Sequence, residues 1–364
     1  MPASESSPWR SILRAATFLA VLYLFFVSID LMSSAFKMAG SGFANTLLET
    51  VSDPLAGLIL GMLATSLVQS SSSTTSIVVG LVAAGTLDLR LAIPMIMGAN
   101  IGTTVTNTIV SMGHVTRRGE FKRAFAAGTV HDFFNVLAVL VIFPLEQLFH
   151  PVEKIAVALS RAFEGIGGLS LVSPLKVIVE PFSDLISDLI PYPVPLVILA
   201  LLALFFALSK MVKIMRSAVL DRVESLFDRV LFRNDLASFT LGTVLTATVQ
   251  SSSATTSLVV PLVGTNVLTV RKIFPYTLGA NLGTTITAIL ASFATGNTMA
   301  ITVALAHLTF NIMGIAILYP VKAIPIWLAT KAGEVAGRSG GKTILIVVGY
   351  LSLYLIPILY LLLT

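Results

Sequence analysis

The chain has no cysteine, only four histidines and two tryptophans, and charged residues make up 11% of its 364 positions. Without cysteine there is no disulfide framework, no thiolate metal site and no cysteine nucleophile. Four scattered histidines do not build a metal centre, and so small a charged fraction excludes an ordinary water-facing surface. No basic stripe interleaved with aromatics is present, so the formal charge of +5 gives no reason to invoke nucleic acid. Lysine and arginine instead gather in a few short segments between apolar runs, where they bear on membrane orientation. Serine is abundant, but there is no Gly-x-Ser-x-Gly elbow near a plausible base and no His-Glu-x-x-His, which argues against an enzyme.

What the sequence does have is apolar surface: 55% of its residues are hydrophobic, which predicts an all-α polytopic membrane protein. The first apolar run, 12–32, follows Arg10 and has the length of a span rather than of a signal-peptide core. A loop whose basic residue is Lys37 leads to Asp53-Pro54, a helix entry with a capping side chain and a proline suited to the first turn. The apolar stretch 54–68 reaches about 22 Å as a helix, short of the ~30 Å hydrocarbon core. It runs into Gln69-Ser70-Ser71-Ser72, followed by Thr74-Thr75-Ser76. Side chains like these are costly in lipid unless each finds a partner, so a re-entrant hairpin (54–85) with its tip at the polar cluster is the reading. A broken span (91–112) follows, interrupted by Gly98-Ala99-Asn100-Ile101-Gly102-Thr103-Thr104. A span at 124–145 then carries His131, Asp132 and Asn135.

The chain repeats itself. Gln250-Ser251-Ser252-Ser253 and Thr255-Thr256 match the first cluster, and Gly279-Ala280-Asn281-Leu282-Gly283-Thr284-Thr285 matches the first interruption. From Gln69 to Thr104 against Gln250 to Thr285 the pairing needs no gap, with more than half of the positions identical. His307 and Asn311 then answer His131 and Asn135, whereas the position answering Asp132 is Leu308. The predicted organisation is a first repeat over 1–150, an extracytoplasmic connection over 151–192, a second repeat over 193–320 and a cytoplasmic loop with a last span over 321–364. The second repeat holds a span from 195, a hairpin at 235–267, a broken span at 273–293 and a span at 300–319.

With the N-terminus in the cytoplasm, the basic segments 117–123, 210–233 and 322–342 fall on one side, and the C-terminus falls outside. This gives about seven spans plus two hairpins that enter from opposite faces, so the repeats have inverted topology, the pattern of a secondary transporter with a midplane site. Hydroxyls, a carboxamide in each copy and helix N-termini favour an anion. No lysine or arginine lies within the repeated motifs, so cations are expected to accompany it, held by carbonyls, hydroxyls, asparagines and Asp132. A passive anion channel keeps the same anion logic without the coupling.

These motifs, with Arg123-Ala124-Phe125-Ala126 leading to Val130-His131-Asp132-Phe133-Phe134-Asn135, closely resemble the type II sodium/phosphate cotransporters over about residues 50–360. The resemblance implies symport of inorganic phosphate with sodium in a bacterial inner membrane, with sodium as the co-transported ion and no organic cofactor. It implies phosphate ligands at Gln69, Ser70, Ser71, Gln250, Ser251 and Ser252, with Ser72 and Ser253 beside them. Sodium is expected at Asn135, Thr284 and neighbouring groups: Asp132, Thr74, Thr75, Asn100, Thr103, Thr104, Thr255, Thr256, Asn281, Thr285 and Asn311. Asp132 matches the aspartate that separates electrogenic from electroneutral members, which implies electrogenic transport. The chain departs from animal members at Met112-Gly113-His114, where they carry a glutamine and an acidic residue, and in ending one span after the second repeat.

Overall fold

The computed structural model describes residues 8–50, 53–230, 234–338, 349, 350 and 352, and every regular element among them is a helix. Helix α1 (Pro8–Thr50) bends at Gly40, whose φ of +72° suits glycine. The loop expected after the first span is therefore helical. Asp53 caps α2 (Pro54–Val68), its Oδ1 accepting the amides of Leu55 and Ala56 at 2.7 and 2.9 Å. The chain turns at Gln69-Ser70 into α3 (Ser71–Ala83). Helices α4 (Leu89–Gly102) and α5 (Val105–Ser111) form the first broken pair, and α6 (Arg118–Phe149) follows.

The connection expected over 151–192 is two helices, α7 (Pro151–Gly165) and α8 (Gly168–Leu189). Glu146 shapes the elbow into α7 by accepting the amides of Val152 and Glu153 at 2.7 and 3.0 Å. Helix α9 (Pro193–Val230) runs on through the basic segment expected to be a loop, because beyond Pro195 that stretch contains neither glycine nor proline and is rich in strong helix formers.

The second half comprises α10 (Asp235–Val249), α11 (Ser252–Ser257), α12 (Val259–Gly264), α13 (Val270–Gly283), α14 (Thr285–Thr295) and α15 (Thr298–Leu318). The break at Leu258 has a local cause: Pro261 has no N–H to return to the carbonyl of Ser257. Helix α16 (Ala323–Arg338) packs along α6 and occupies much of the segment expected as a cytoplasmic loop. The last span, 344–363, lies outside the described residues apart from Gly349, Tyr350 and Ser352.

Among the described residues, five helices are long and apolar enough to cross a bilayer: Ile12–Gly40, Arg118–Phe149, Pro193–Met215, Val270–Thr295 and Thr298–Leu318. The arms Pro54–Val68, Ser71–Ala83, Asp235–Val249 and Ser252–Gly264 are apolar but shorter. The incoming arm of each hairpin lies on the first segment of its own broken pair, α2 on α4 and α10 on α13. The approach is so close that a Cβ at Gly98 would sit 1.8 Å from the carbonyl oxygen of Leu58, and one at Gly279 1.9 Å from that of Phe239. These glycines serve packing rather than the helix break, which comes later, at Thr103-Thr104 and at Thr284.

Candidate functional site

The two Gln-Ser turns have nearly the same backbone. Gln69 has φ 58° and ψ 27°, and Gln250 has φ 60° and ψ 25°; each is a left-handed helix C-cap followed by an extended serine that caps the next helix. Ser70 Oγ accepts the amide of Ser73, and Ser251 Oγ that of Ala254, both at 3.2 Å. A left-handed glutamine costs about 1–2 kcal/mol relative to the helical region, and such outliers persist where the surroundings over-determine them. Here the restraint is visible. Each carboxamide folds back, Nε2 donating to the carbonyl of Ser66 or Ala247. Each Oε1 accepts a threonine hydroxyl from just beyond the break of its own broken pair, Thr106 at 2.7 Å and Thr287 at 2.6 Å, 37 residues away in both halves. Sequence reasoning passed over Thr106 and Thr287, although they match each other two residues past Thr104 and Thr285.

The tips meet. Ser72 Oγ donates to the carbonyl of Gln250 at 3.2 Å and lies 3.4 Å from the Thr287 hydroxyl. Ser253 Oγ donates to the carbonyl of Thr103 at 3.1 Å, and Asn107 Nδ2 to Thr256 Oγ1 at 2.8 Å. Ser71, Ser72, Ser252, Ser253 and Gln250 are buried, while Gln69, Ser70 and Ser251 are half-buried. Helices α3 and α11 start at this meeting point, and the first amides of a helix have no intrahelical acceptor, so partial positive charge converges there.

The threonines beside the tips donate to carbonyls of their own helices, which leaves their oxygens able to accept or to ligate. Thr75 bonds to Ser71 and Thr103 to Ala99 at 2.9 Å, Thr104 to Ile101 at 2.9 Å, and Thr255 to Ser251 at 2.8 Å. Thr285 bonds to Leu282 at 2.7 Å, Thr74 to Ser70 at 3.3 Å, and Thr284 to Asn281.

The asparagines expected as sodium ligands are tied largely to one another. Asn100 Nδ2 donates to Asn311 Oδ1 at 3.1 Å, and Asn281 Nδ2 to Asn135 Oδ1 at 3.0 Å and Asn311 Oδ1 at 2.8 Å. Asn135 Nδ2 also reaches the carbonyl of Asn100 at 2.8 Å, and His307 Nε2 lies 3.1 Å from Asn100 Oδ1. All four asparagines and both His131 and His307 are buried. These bonds form a polar clasp joining α4 to α15 and α6 to α13, across the two halves.

Asp132 stands apart from Asn135 and the clasp: its Oδ2 accepts the hydroxyl of Tyr350 from the last segment of the chain. A second intramembrane acid went unremarked in the sequence. Asp30 of α1 is buried and accepts the hydroxyl of Ser183, which seats α8 on α1.

Residues 24–171 and 203–329 match the family described as Na+/Pi-cotransporter. The sheep protein named sodium-dependent phosphate transport protein 2A is 36% identical, the alignment covering 89% of this chain and 64% of that protein. The human 2B protein of the same name is 35% identical over 91% of this chain and 62% of its own length, and the rat 2A protein 35% identical over 89% and 63%. The chain thus spans less than two thirds of the length of these relatives. No solved structure matches it.

Proposed function

The chain belongs to the Na+/Pi-cotransporter family, and from that premise we propose that it imports inorganic phosphate by sodium-coupled alternating access. The single observation that carries this reading is the meeting of the two tips, Ser72 against Gln250 and Ser253 against Thr103. A site shared by two halves can be opened to one face or the other by moving one half against its partner. The names of the relatives supply the substrate: an oxyanion, in the chemistry that helix N-termini and hydroxyls serve.

In this mechanism phosphate is bound by the amides and hydroxyls of Ser70, Ser71, Ser251 and Ser252, with Ser72 and Ser253 beside them. Gln69 and Gln250 act through their folded carboxamides, which hold each turn in its left-handed conformation. No lysine or arginine neutralises the anion within the motifs, so sodium does, drawn to the threonine oxygens and carbonyls around the breaks at Thr103-Thr104 and Thr284-Thr285. The asparagine clasp is where the halves hinge or part. Asp132, present in one half only, adds a fixed negative charge and makes the cycle electrogenic, so each net charge moved couples to about 2.3 kcal/mol per 100 mV. The hairpins enter from opposite faces, with the N-terminus in the cytoplasm.

Phosphate uptake into proteoliposomes with and without an inward sodium gradient tests the proposal. Uphill accumulation only with sodium is the expected result. Flux indifferent to the gradient means a channel and ends the symport reading.

A further inference from the structure

Asp132 is 1% exposed, and a carboxylate so deeply placed needs donors if it is to stay charged. A donor comes to it from outside both repeats. The hydroxyl of Tyr350 donates to Asp132 Oδ2, and its ring packs edge-on against Phe125, with centroids 5.8 Å apart and planes at 71°. Phe125 in turn lies against Phe121 at 5.6 Å, and both phenylalanines are 1% exposed. Phe125 and Asp132 are two turns apart on α6 and so share one side of it. The same face of α6 therefore braces the tyrosine ring and receives its hydroxyl. Asn135, three residues further along α6, bonds into the asparagine clasp instead.

We propose that Tyr350 is the positioning residue for Asp132: its phenol holds one carboxylate oxygen, stabilises the charged form and fixes the direction in which the remaining oxygen faces. The last segment of the chain, which the internal duplication does not account for, then has a defined task. It seats a buried charge that the second half lacks at the matching position, Leu308. A Phe125-to-Tyr350 contact by itself would be packing. A hydroxyl aimed at the buried carboxylate couples that packing to the charge, because a hydrogen bond to an ionised group is stronger than a neutral one and sets its geometry. The inference rests on the reading of Asp132 as the coupling charge.

The full chain in proteoliposomes or in a voltage-clamped cell decides it. Tyr350→Phe keeps the ring and its stack but removes the donor, so the sodium concentration for half-maximal transport rises on the order of tenfold. Phosphate half-saturation at saturating sodium is unchanged, which a merely structural loss would not produce. In an Asp132→Gly background the same substitution has no further effect. An unchanged sodium dependence in Tyr350→Phe overturns the inference, as does an equal rise in the Asp132→Gly background. If Tyr350→Phe does not reach the membrane, 3-fluorotyrosine at position 350 keeps ring and hydroxyl with a stronger donor. It lowers half-saturating sodium, and no shift with it overturns the inference. An Asp132→Gly protein that still carries sodium-dependent current removes the underlying reading of Asp132. An electroneutral Asp132→Gly with a silent Tyr350→Phe removes the role of Tyr350 alone.

Discussion

Ala83 and Gly264 close the outgoing arms of the two hairpins, and each gives its carbonyl to a side chain from the opposite half. Asn297 Nδ2 reaches Ala83 at 3.3 Å, while Arg123 Nε reaches Gly264 at 3.0 Å. The second arm thus receives a cation at its negative helix end where the first receives a neutral amide. The tips differ in the same sense: Gln69 is half-buried, whereas Gln250 is 5% exposed. The outgoing arm is one helix in the first half and is interrupted at Leu258 in the second. Within each turn the backbone geometry is nearly identical. Duplication thus preserved the turn itself, and the halves diverged in what holds it, so equal tips are gripped unequally.

Substitution can break this comparison, beginning with the largest effect. Gly98→Ala and Gly279→Ala each force a methyl into a backbone carbonyl. Each is expected to cost about 3 kcal/mol or more, read as loss of monodisperse protein and a lower melting temperature in detergent. Tolerance of one but not the other would show that the two hairpin arms are not packed alike.

Next come Thr106→Val and Thr287→Val, each of which leaves a glutamine Oε1 without its threonine donor. The cost is about 1–3 kcal/mol where the acceptor is fully buried and less where water reaches it, so Thr287→Val is expected to weaken phosphate uptake more than Thr106→Val. The reverse order would overturn the ranking of the tips by burial.

Arg123→Ala and Asn297→Ala test the grips. Removing the charged donor is expected to cost about 1.5–3 kcal/mol and the neutral one about 1. Hydrogen exchange around residues 263–265 and 82–85 is the direct measurement. Equal protection losses at both sites would mean that the arginine's charge contributes nothing.

The smallest effect is expected from Gln69→Gly, which relieves the left-handed backbone by about 1 kcal/mol while removing the Thr106 latch. Stability is expected to stay nearly level while phosphate affinity falls, and full retention of affinity would show that the folded carboxamide is dispensable.

Much of this was legible in the chain. Asp53-Pro54 announced a helix start and Gln69-Ser70 a turn, because capping and left-handed turns act within a few residues; the interruption announced over Gly98 to Thr104 falls at its end, at Thr103-Thr104, whereas Gly98 packs on the remote Leu58. What was not legible was the span of α9 through its basic segment, or the helix α16 where a loop was expected. Charged residues are as compatible with a helix as with a loop when no glycine or proline intervenes. That Asn100, Asn135, Asn281 and Asn311, read as cation ligands, also bond to one another was not legible either, because an asparagine in an apolar run needs a polar partner and nothing local says which. Asp30 was missed because Ser183, its partner, is remote in sequence.

By itself the sequence determined that this is a membrane-embedded helical protein, that it contains one polar turn written twice, and that Asp132 has no acidic counterpart in the second copy, where Leu308 stands. Those features follow from composition, local backbone preference and identity between segments, all of which act over short distances along the chain. Only the tertiary structure decided that the two turns touch, that Thr106 and Thr287 lock their glutamines, that the asparagines clasp each other, and that Tyr350 holds Asp132. In an apolar bundle every buried polar group must find a partner, and which one it finds depends on which helices pack side by side.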